Sequence, residues 1–185
     1  MRIPNLTATA GVFLVVAAVL AGCESSHKAV MTDKLEPYQC GTVQRLHTYQ
    51  GVFLASQPQP DDFEQAKKGG VKTVINLRTR DEIKEFDEEF VVKSLGLEYH
   101  NVPISGADDL TDGKFDETRK LLKDVDRPVL LHCASSNRVG AVWLAYRALD
   151  GGLSIEEAKA EAKIVGLKSP ALEAKAIDYV KRKKG

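Results

Sequence analysis

The sequence predicts an α/β fold in which a mainly parallel central sheet of about four or five strands is flanked by helices. Short runs rich in β-branched and aliphatic residues alternate with helical segments that carry their own start and stop signals. The last helical segments follow one another without a strand between them. Because strand–helix–strand crossovers join parallel strands, this order indicates a sheet that helices cover on both faces.

Length and composition limit the class of protein. The chain has 185 residues, 43% of them hydrophobic and 28% charged, which is typical of one globular domain with some length left for a targeting segment. The formal net charge of zero gives no reason to expect nucleic acid as a partner. The three cysteines are too scattered for a disulfide framework or a zinc cluster, and no glycine-rich nucleotide motif is present. We therefore expect no cofactor and no metal ion.

Residues 1–22 have the pattern of a secretory signal peptide. Arg2 precedes an apolar run of ten residues, Gly11–Leu20, which is shorter than the roughly 20 residues that a membrane-spanning helix needs. The run leads into Leu-Ala-Gly-Cys at residues 20–23, which resembles the lipobox of bacterial lipoproteins. The resemblance implies cleavage before Cys23, acylation of Cys23 and a lipid anchor in the membrane. An ordinary cleaved signal with an incidental cysteine is the alternative.

This targeting pattern divides the chain into three parts. We expect a cleaved signal peptide at residues 1–22, the lipidated cysteine with a polar tether at 23–40, and one folded domain at 41–185. The protein would then lie in the bacterial cell envelope, anchored by lipid and facing the periplasm. Glu24 stands where an aspartate would resemble an inner-membrane retention signal, which slightly favours the outer membrane.

The first half of the domain is predicted to alternate between strands and helices. Two candidate strands flank the turn at residues 49–51, and a capping box of Asp61 and Glu64 starts a short helix that stops at Gly69. A strand at Val71–Leu77, a helix at Asp81–Leu95 and a strand at Leu97–Val102 follow. The acidic residues of that helix are expected to form its solvated face: Asp81, Glu82, Glu85, Asp87, Glu88 and Glu89.

The second half is predicted to begin with a polar loop and to end with helices alone. In order, we expect a loop at Pro103–Gly113, a helix near Lys114–Lys123, a strand at Val129–Leu131 and a helix that begins near Arg138 or Val139. A helix capped by Ser154 and Glu157 then runs to Gly166, and a last helix follows Ser169. The final Lys-Arg-Lys-Lys run offsets the dipole of the last helix. Contact with anionic lipid is the alternative for this run.

The stretch from Pro128 to Trp143 carries the chemistry. Cys133 lies at the carboxyl end of a predicted strand and just before a predicted helix. The backbone N–H groups of such a loop, together with the helix dipole, favour negative charge. The same dipoles and a nearby arginine lower the pKa of a thiol and populate its reactive thiolate. The stretch therefore predicts an anion site that contains a nucleophile.

The motif of His132, Cys133, a short loop and Arg138 resembles the signature of cysteine-dependent protein phosphatases. It is most similar to the atypical dual-specificity group and to a bacterial branch described as beta-lactamase-hydrolase-like phosphatases. Upstream, Val52–Pro58 and the run Val74–Arg78 with Glu82 are similar to the N-terminal half of that branch. The resemblance implies a protein-tyrosine-phosphatase-like fold of the dual-specificity type.

The resemblance also implies a role for each residue of the loop. Cys133 would attack phosphorus, and Arg138 would hold two phosphate oxygens with its planar fork. His132 would support the loop from beneath, and an ordinary core histidine is the alternative. The substrate would be a phosphorylated protein or a small phosphate ester. Backbone N–H groups would bind the other phosphate oxygens, and they belong to Ala134, Ser135, Ser136, Asn137 and Arg138.

These phosphatases protonate the leaving oxygen with an aspartate on a loop two elements before the cysteine. Asp108 and Asp109 lie in the corresponding loop, and we prefer Asp108, although acids there could equally form turns. Arg78 is expected to brace the acidic helix or to line the pocket. Cys40 is either a small packed residue or a partner that reversibly shields the thiol of Cys133 as a disulfide.

The loop departs from the phosphatase signature in two places. Four residues separate Cys133 from Arg138 where the signature has five, and Val139 replaces the usual serine or threonine. A loop of this length also resembles that of rhodanese-type sulfurtransferases, which carry sulfur as a cysteine persulfide. A sulfurtransferase using a Cys133 persulfide and a lipid-anchored anion-binding module without turnover therefore remain as alternatives to the phosphatase.

Overall fold

The computed structural model describes residues 31–185. The predicted signal peptide, the lipobox and Cys23 lie outside the described residues. Six strands occupy Glu36–Pro37 (β1), Leu46–Tyr49 (β2), Val52–Ala55 (β3), Thr73–Asn76 (β4), Glu98–Asn101 (β5) and Val129–His132 (β6). Six α-helices occupy Pro60–Lys68 (α1), Glu88–Ser94 (α2), Asp112–Asp124 (α3), Asn137–Leu149 (α4), Ile155–Val165 (α5) and Pro170–Lys184 (α6), and a 3-10 turn lies at Arg80–Glu82.

The strands form one sheet in the order β1-β2-β3-β6-β4-β5. Strands β3, β6, β4 and β5 are parallel, whereas β1 and β2 are antiparallel to their neighbours. The prediction of a mainly parallel sheet flanked by helices is confirmed. The described sheet has six strands because the two-residue β1 pairs with β2 at one edge, and no sequence period marks so short a strand.

Helices cover both faces of the sheet. Val52 and Leu54 of β3 pack into one apolar cluster with α3, α4, α5 and α6, while Phe53 and Ala55 pack into a second cluster with α1 and α2. A strand that is buried on both faces carries no polar side chains to solvent. This explains why the strands next to the candidate site read as continuous apolar runs.

Helix α4 is the centre of the larger cluster. Its side chains are buried on nearly every side, and Trp143 is fully enclosed. The backbone of Gly140 lies so close to α5 that an added Cβ would come within 2.8 Å of the backbone nitrogen of Leu167 and 2.9 Å of the carbonyl oxygen of Ala162. The absence of a side chain at this position therefore permits the close packing of α4 against α5.

The predicted helix at Asp81–Leu95 is wrong in its first half. The chain makes the 3-10 turn, then an irregular segment, and α2 begins only at Glu88 because the Asp87 side chain caps it by accepting a hydrogen bond from the Phe90 N–H. The predicted solvated face is confirmed for Asp81, Glu85 and Asp87, which are exposed, and is wrong for Glu88, which is 4% exposed. Long-range partners hold Glu82 and Glu88 toward the interior.

The other predicted helices are present, and three of them begin earlier than predicted: α1, α3 and α4. Helix α1 starts at Pro60, and the carboxylate that accepts the Gln59 N–H belongs to Asp62 and not to Glu64. Helix α4 starts at Asn137. The capping box of Ser154 and Glu157 is confirmed.

The cationic C-terminal run of α6 is largely engaged within the domain. Arg182 pairs with Asp112 and Asp178, and Lys183 pairs with Asp116. These contacts favour the structural explanation of the run over contact with lipid. Among residues 31–185, no helix is both long and apolar enough to cross a membrane.

The packing of Gly140 generates a prediction about stability. We expect Gly140→Ala to lower the free energy of unfolding by about 1–3 kcal/mol, because the new methyl group would overlap backbone atoms that cannot move independently. Urea unfolding followed by circular dichroism measures this change. Gly113→Ala is the matched control, since its Cβ would meet nothing closer than 3.9 Å, and alanine there should raise stability by about 0.4–1 kcal/mol. Equal effects of the two substitutions would contradict the close approach.

Candidate active site

The loop that carries Cys133 joins the end of β6 to the start of α4. Because β6 lies between β3 and β4, the loop emerges at the middle of the sheet, at the carboxyl ends of its parallel strands. Cys133 is fully buried, whereas Ala134 and Ser135 are exposed at the tip. Ser136 adopts the left-handed conformation with φ of 66°, and its buried side chain precedes the helix. The predicted position of the loop is thus confirmed.

Two neighbouring segments hold the loop in place. On the β3 side, Cys133 donates its N–H to the carbonyl of Ala55 at 3.4 Å, and Gln57 donates its N–H to the carbonyl of Ala134 at 3.2 Å. On the other side, the Asn137 side chain accepts the backbone N–H groups of Lys168 and Ser169 at 2.9 and 3.1 Å. The loop is therefore anchored at both ends, by the sheet and by the α5–α6 connection.

The backbone N–H groups of the loop itself have no acceptor. From Ala134 to Arg138, none of these five consecutive N–H groups donates a hydrogen bond within residues 31–185. They precede or begin the first turn of α4, where unpaired N–H groups and the helix dipole both attract negative charge. This set of donors can surround a tetrahedral anion next to the sulfur of Cys133.

Arg138 is held rigidly by contacts on one edge of its guanidinium. Nη1 and Nη2 donate to the two carboxylate oxygens of Glu82 at 2.6 and 2.7 Å, and Nη1 also donates to the carbonyls of Ile104 and Leu77 at 2.7 and 3.3 Å. The other edge of the guanidinium is formed by the N–H of Nε and the second hydrogen of Nη2. Within the described residues, neither of these hydrogens is donated to a carboxylate or a carbonyl. That edge can hold two oxygens of an anion in bidentate fashion.

The charges of this pair are strongly coupled. The hydrogen bond from Arg138 lowers the pKa of Glu82 to about 2, which outweighs the opposing effect of burial and is reinforced by the Thr79 N–H. Burial alone would lower the pKa of Arg138, but the hydrogen bond to Glu82 and the nearby Cys133 outweigh it, and the pKa is raised. Both groups are therefore charged at any physiological pH.

A second set of polar side chains lies beneath the loop. The buried His132 donates from Nε2 to Oε1 of Glu88 at 3.1 Å, and the amide of Gln57 donates to Oε2 of Glu88 at 2.7 Å. The Gln57 carbonyl oxygen accepts from Arg78 at 2.6 Å, and Arg78 in turn lies 3.5 Å from the carboxylate of Glu82. The two residues that flank the Cys133 loop in the sequence signature, His132 and Arg138, are thus joined by one continuous polar chain.

Glu88 stays ionised despite its burial. Desolvation would raise the pKa of its carboxyl, but the charge of His132 and hydrogen bonds from His132, Gln57 and Tyr99 outweigh this, so the pKa is lowered. Neither Gln57 nor Glu88 is predicted as a site residue by the sequence alone. The motif segment that contains Gln57 was the only available signal, because Glu88 stands in an acidic run that is typical of a solvated face.

The two candidate acids on the loop after β5 have different surroundings. Asp109 accepts hydrogen bonds from the backbone and hydroxyl of Ser105 at 2.8 and 3.1 Å and from Lys114 at 2.5 Å. The hydrogen bond from Lys114, followed by those from Ser105, lowers the pKa of Asp109 to about 2, so it is a poor proton donor. Asp108 is exposed and free of these contacts. Ile104, at the start of the same loop, contacts Arg138 and brings the loop to the site.

The remaining expectations concern Cys40, Val139 and metals. Cys133 is a free thiol, so the hypothesised disulfide with Cys40 is not formed in this structure. Val139 is buried in the apolar core, and it supplies no hydroxyl to the loop. Within residues 31–185, no group of three histidine, cysteine or acidic side chains is arranged to hold a metal ion.

The fold defined by this sheet and loop is that of the protein-tyrosine-phosphatase-like phosphatases. TpbA from Pseudomonas aeruginosa superposes with a TM-score of 0.64 at 19% identity, covering 80% of this chain and 89% of TpbA. A candidate phosphatase from Neisseria meningitidis superposes with a TM-score of 0.59 at 21% identity, covering 70% of this chain and 94% of that protein. A cysteine-to-serine variant of TpbA has been solved in complex with phosphotyrosine.

Sequence comparison gives a relative that matches part of the chain. The beta-lactamase hydrolase-like protein of Xylella fastidiosa is 25% identical over 113 residues, which are 59% of this chain and 26% of that protein. The chain therefore matches only about a quarter of the length of this curated relative. No protein-family model matches the chain.

The buried contact between Glu88 and His132 predicts that two adjacent glutamates, Glu88 and Glu89, differ in their contribution to stability. We expect Glu88→Ala to lower the free energy of unfolding by about 3–5 kcal/mol, because it leaves the buried His132 and Gln57 without their acceptor. Glu89→Ala is the matched control, since Glu89 only pairs with Lys93 and Arg80 on the surface and should change stability little. Chemical denaturation of both variants provides the measurement, and a stable Glu88→Ala variant would contradict the buried network.

Proposed function

We propose that the protein is a phosphomonoester hydrolase that works through a cysteinyl-phosphate intermediate. The observation that carries this proposal is the anion cradle around Cys133, in which five unpaired backbone N–H groups and the free edge of Arg138 surround one buried thiol. Such a cradle matches the trigonal-bipyramidal charge distribution of a phosphoryl group in transfer. The phosphatase fold of its structural neighbours supports the same chemistry.

In the first step, the thiolate of Cys133 attacks phosphorus and the bond between phosphorus and the leaving oxygen breaks. Arg138 binds two of the non-bridging oxygens, and the N–H groups from Ala134 to Asn137 bind charge that develops on the others. Asp108 supplies its proton to the leaving oxygen, which departs as an alcohol. The product on the enzyme is a cysteinyl phosphate.

In the second step, water attacks the phosphorus of the cysteinyl phosphate. The carboxylate of Asp108 now accepts a proton from this water, and the sulfur–phosphorus bond breaks to release inorganic phosphate and the thiolate. Glu82 and Glu88 act at a distance from the phosphate: Glu82 orients Arg138, and Glu88 orients His132 beneath the loop. Both are positioning residues.

The proposal keeps the substrate class broad. A phosphorylated protein or a small phosphate ester fits the chemistry, and the phosphotyrosine complex of TpbA makes a phosphorylated side chain a suitable first substrate to test. We further propose that the domain works in the bacterial cell envelope, on a lipid anchor at Cys23. This part rests on the sequence of residues 1–23 alone.

A sulfurtransferase is the second candidate, and the four-residue loop favours it. In that reaction the Cys133 thiolate takes the outer sulfur of thiosulfate, releases sulfite and holds a persulfide. Cyanide then removes this sulfur as thiocyanate and regenerates the thiolate. A one-atom cargo needs a smaller cradle than phosphate, which is why loop length bears on the choice.

Two parallel assays distinguish these activities. We expect the protein of residues 31–185, which keeps β1, to hydrolyse p-nitrophenyl phosphate. The activity should be abolished in Cys133→Ser and reduced about 100- to 1,000-fold in Arg138→Lys, because lysine cannot bind two oxygens in one plane. Phosphate release and thiocyanate release are measured on the same preparations. Release of thiocyanate without release of phosphate would contradict the phosphatase and support the sulfurtransferase. If neither product is released, the remaining function is that of an anion-binding module.

The role of Asp108 is tested by changing the leaving group. We expect Asp108→Asn to lower kcat about 100-fold or more with phenyl phosphate and much less with p-nitrophenyl phosphate, since p-nitrophenolate leaves with little need for a proton. Asp109→Asn is the comparison, because loss of its contact with Lys114 should affect both substrates alike. A leaving-group dependence in Asp109→Asn alone would assign the proton to Asp109.

A further inference from the structure

One edge of the Cys133 loop carries a positive charge that the proposed chemistry does not use. Arg45, just before β2, donates from Nη1 to the carbonyl of Ser135 at 3.4 Å. Its backbone is fixed there, because the Arg45 N–H donates to the Ser56 hydroxyl and the Ser56 N–H donates to the Arg45 carbonyl. The guanidinium therefore lies beside the exposed tip of the loop.

Gly166 creates the space for this arrangement. A Cβ at this residue would lie 2.8 Å from the Cβ of Ser136, 3.3 Å from Nη1 of Arg45 and 3.4 Å from the carbonyl oxygen of Ser135. Gly166 also has φ of 140°, which side chains rarely adopt. The α5–α6 connection thus passes close to the loop and to the guanidinium of Arg45.

Lys168 extends the same edge. It follows Gly166 by two residues, and its backbone N–H is fixed by the side chain of Asn137, within the loop itself. Its exposed side chain starts from a backbone position beside the loop and ends in a charged ammonium on a flexible four-carbon stem. The edge therefore presents two cationic side chains, one from each neighbouring segment.

The charges of this edge have no counter-charge among residues 31–185. On the opposite side of the loop, Arg78 and Arg138 share the carboxylate of Glu82. Neither Arg45 nor Lys168 forms an ion pair with any carboxylate of the part of the chain that the structure describes.

We propose that Arg45 and Lys168 make the enzyme select phosphomonoesters that carry a second anionic group close to the phosphate that is hydrolysed. This inference rests on the proposed phosphatase function. The scissile phosphate fills the cradle and satisfies Arg138, so the outer cations remain available for a further negative charge. The second group must lie within about 10 Å of the scissile phosphate, since salt screens charges beyond that distance.

A pair of phosphotyrosine peptides tests the selection. One peptide has alanine and the other aspartate at the two residues on each side of the phosphotyrosine, which lie within about 7 Å of it along the backbone. We expect kcat/KM to be about five- to 20-fold higher for the acidic peptide at low salt, from two exposed charge pairs. In Arg45→Gln and in Lys168→Gln the preference should fall about two- to fivefold each, and at 0.5 M salt it should nearly vanish.

The matched control is Lys175→Gln, which removes an exposed lysine on α6 away from the loop and should leave the preference unchanged.

A second comparison uses glucose 1,6-bisphosphate and glucose 6-phosphate as substrates. A preference in the peptide arm assigns the second anion to a protein substrate, and one in the sugar arm alone assigns it to a small molecule. Equal kcat/KM within both pairs, or a preference that survives in the Arg45→Gln/Lys168→Gln double variant, would overturn the proposal.

The failure of the phosphatase function would be recognised separately. If p-nitrophenyl phosphate is not hydrolysed, the same peptides and sugar phosphates are titrated into Cys133→Ser, and binding is measured by calorimetry. If the ligands with two anionic groups bind more tightly, and the double variant loses this difference, the selection by the cationic edge is supported although the protein is not a phosphatase. If all the ligands bind equally, both the selection and the phosphatase function are contradicted.

Discussion

Arg138 projects from the first turn of α4 to the ends of the neighbouring parallel strands, where Glu82 binds its guanidinium in bidentate fashion. A guanidinium that is only 12% exposed needs a partner, because an unpaired charge is costly in a medium of low polarity. Glu82 supplies the partner and at the same time fixes which edge of Arg138 faces the thiol. The 3-10 turn, the irregular segment before α2 and the position of Arg78 all accommodate this one contact.

The polar chain from Arg138 to His132 gives the loop two supports. Glu82 holds the arginine on the side of β4, and Glu88 holds the histidine beneath β6, with Gln57 and Arg78 between them. Because each member satisfies its neighbour, the chain keeps charged groups buried without leaving an unpaired one between them. Such a support matters for a loop whose own backbone donors are left free for an anion.

Local sequence signals predicted most of the elements around the site, and they failed where a distant partner decided the structure. The capping box at Ser154 and the buried strand before Cys133 depend on residues that are close in the chain, so their pattern is readable. Glu82 and Glu88 bond residues 56 and 44 positions away. Their acidic neighbours suggested a solvated helical face, and no local pattern distinguishes a carboxylate that will meet a buried arginine or histidine.

The sequence by itself determined the α/β class, the presence of Cys133 and Arg138 in one candidate site, and the place of both at a strand end before a helix. These follow from periodicity and from residue types at short spacing. Tertiary structure decided which aspartate accepts hydrogen bonds from Ser105 and Lys114, and which glutamates pair with the residues of the site. It also brought Arg45 into contact with the loop from 90 residues away in the chain. The physical reason is that burial and ion pairing depend on neighbours in space, which the order of residues along the chain does not encode locally.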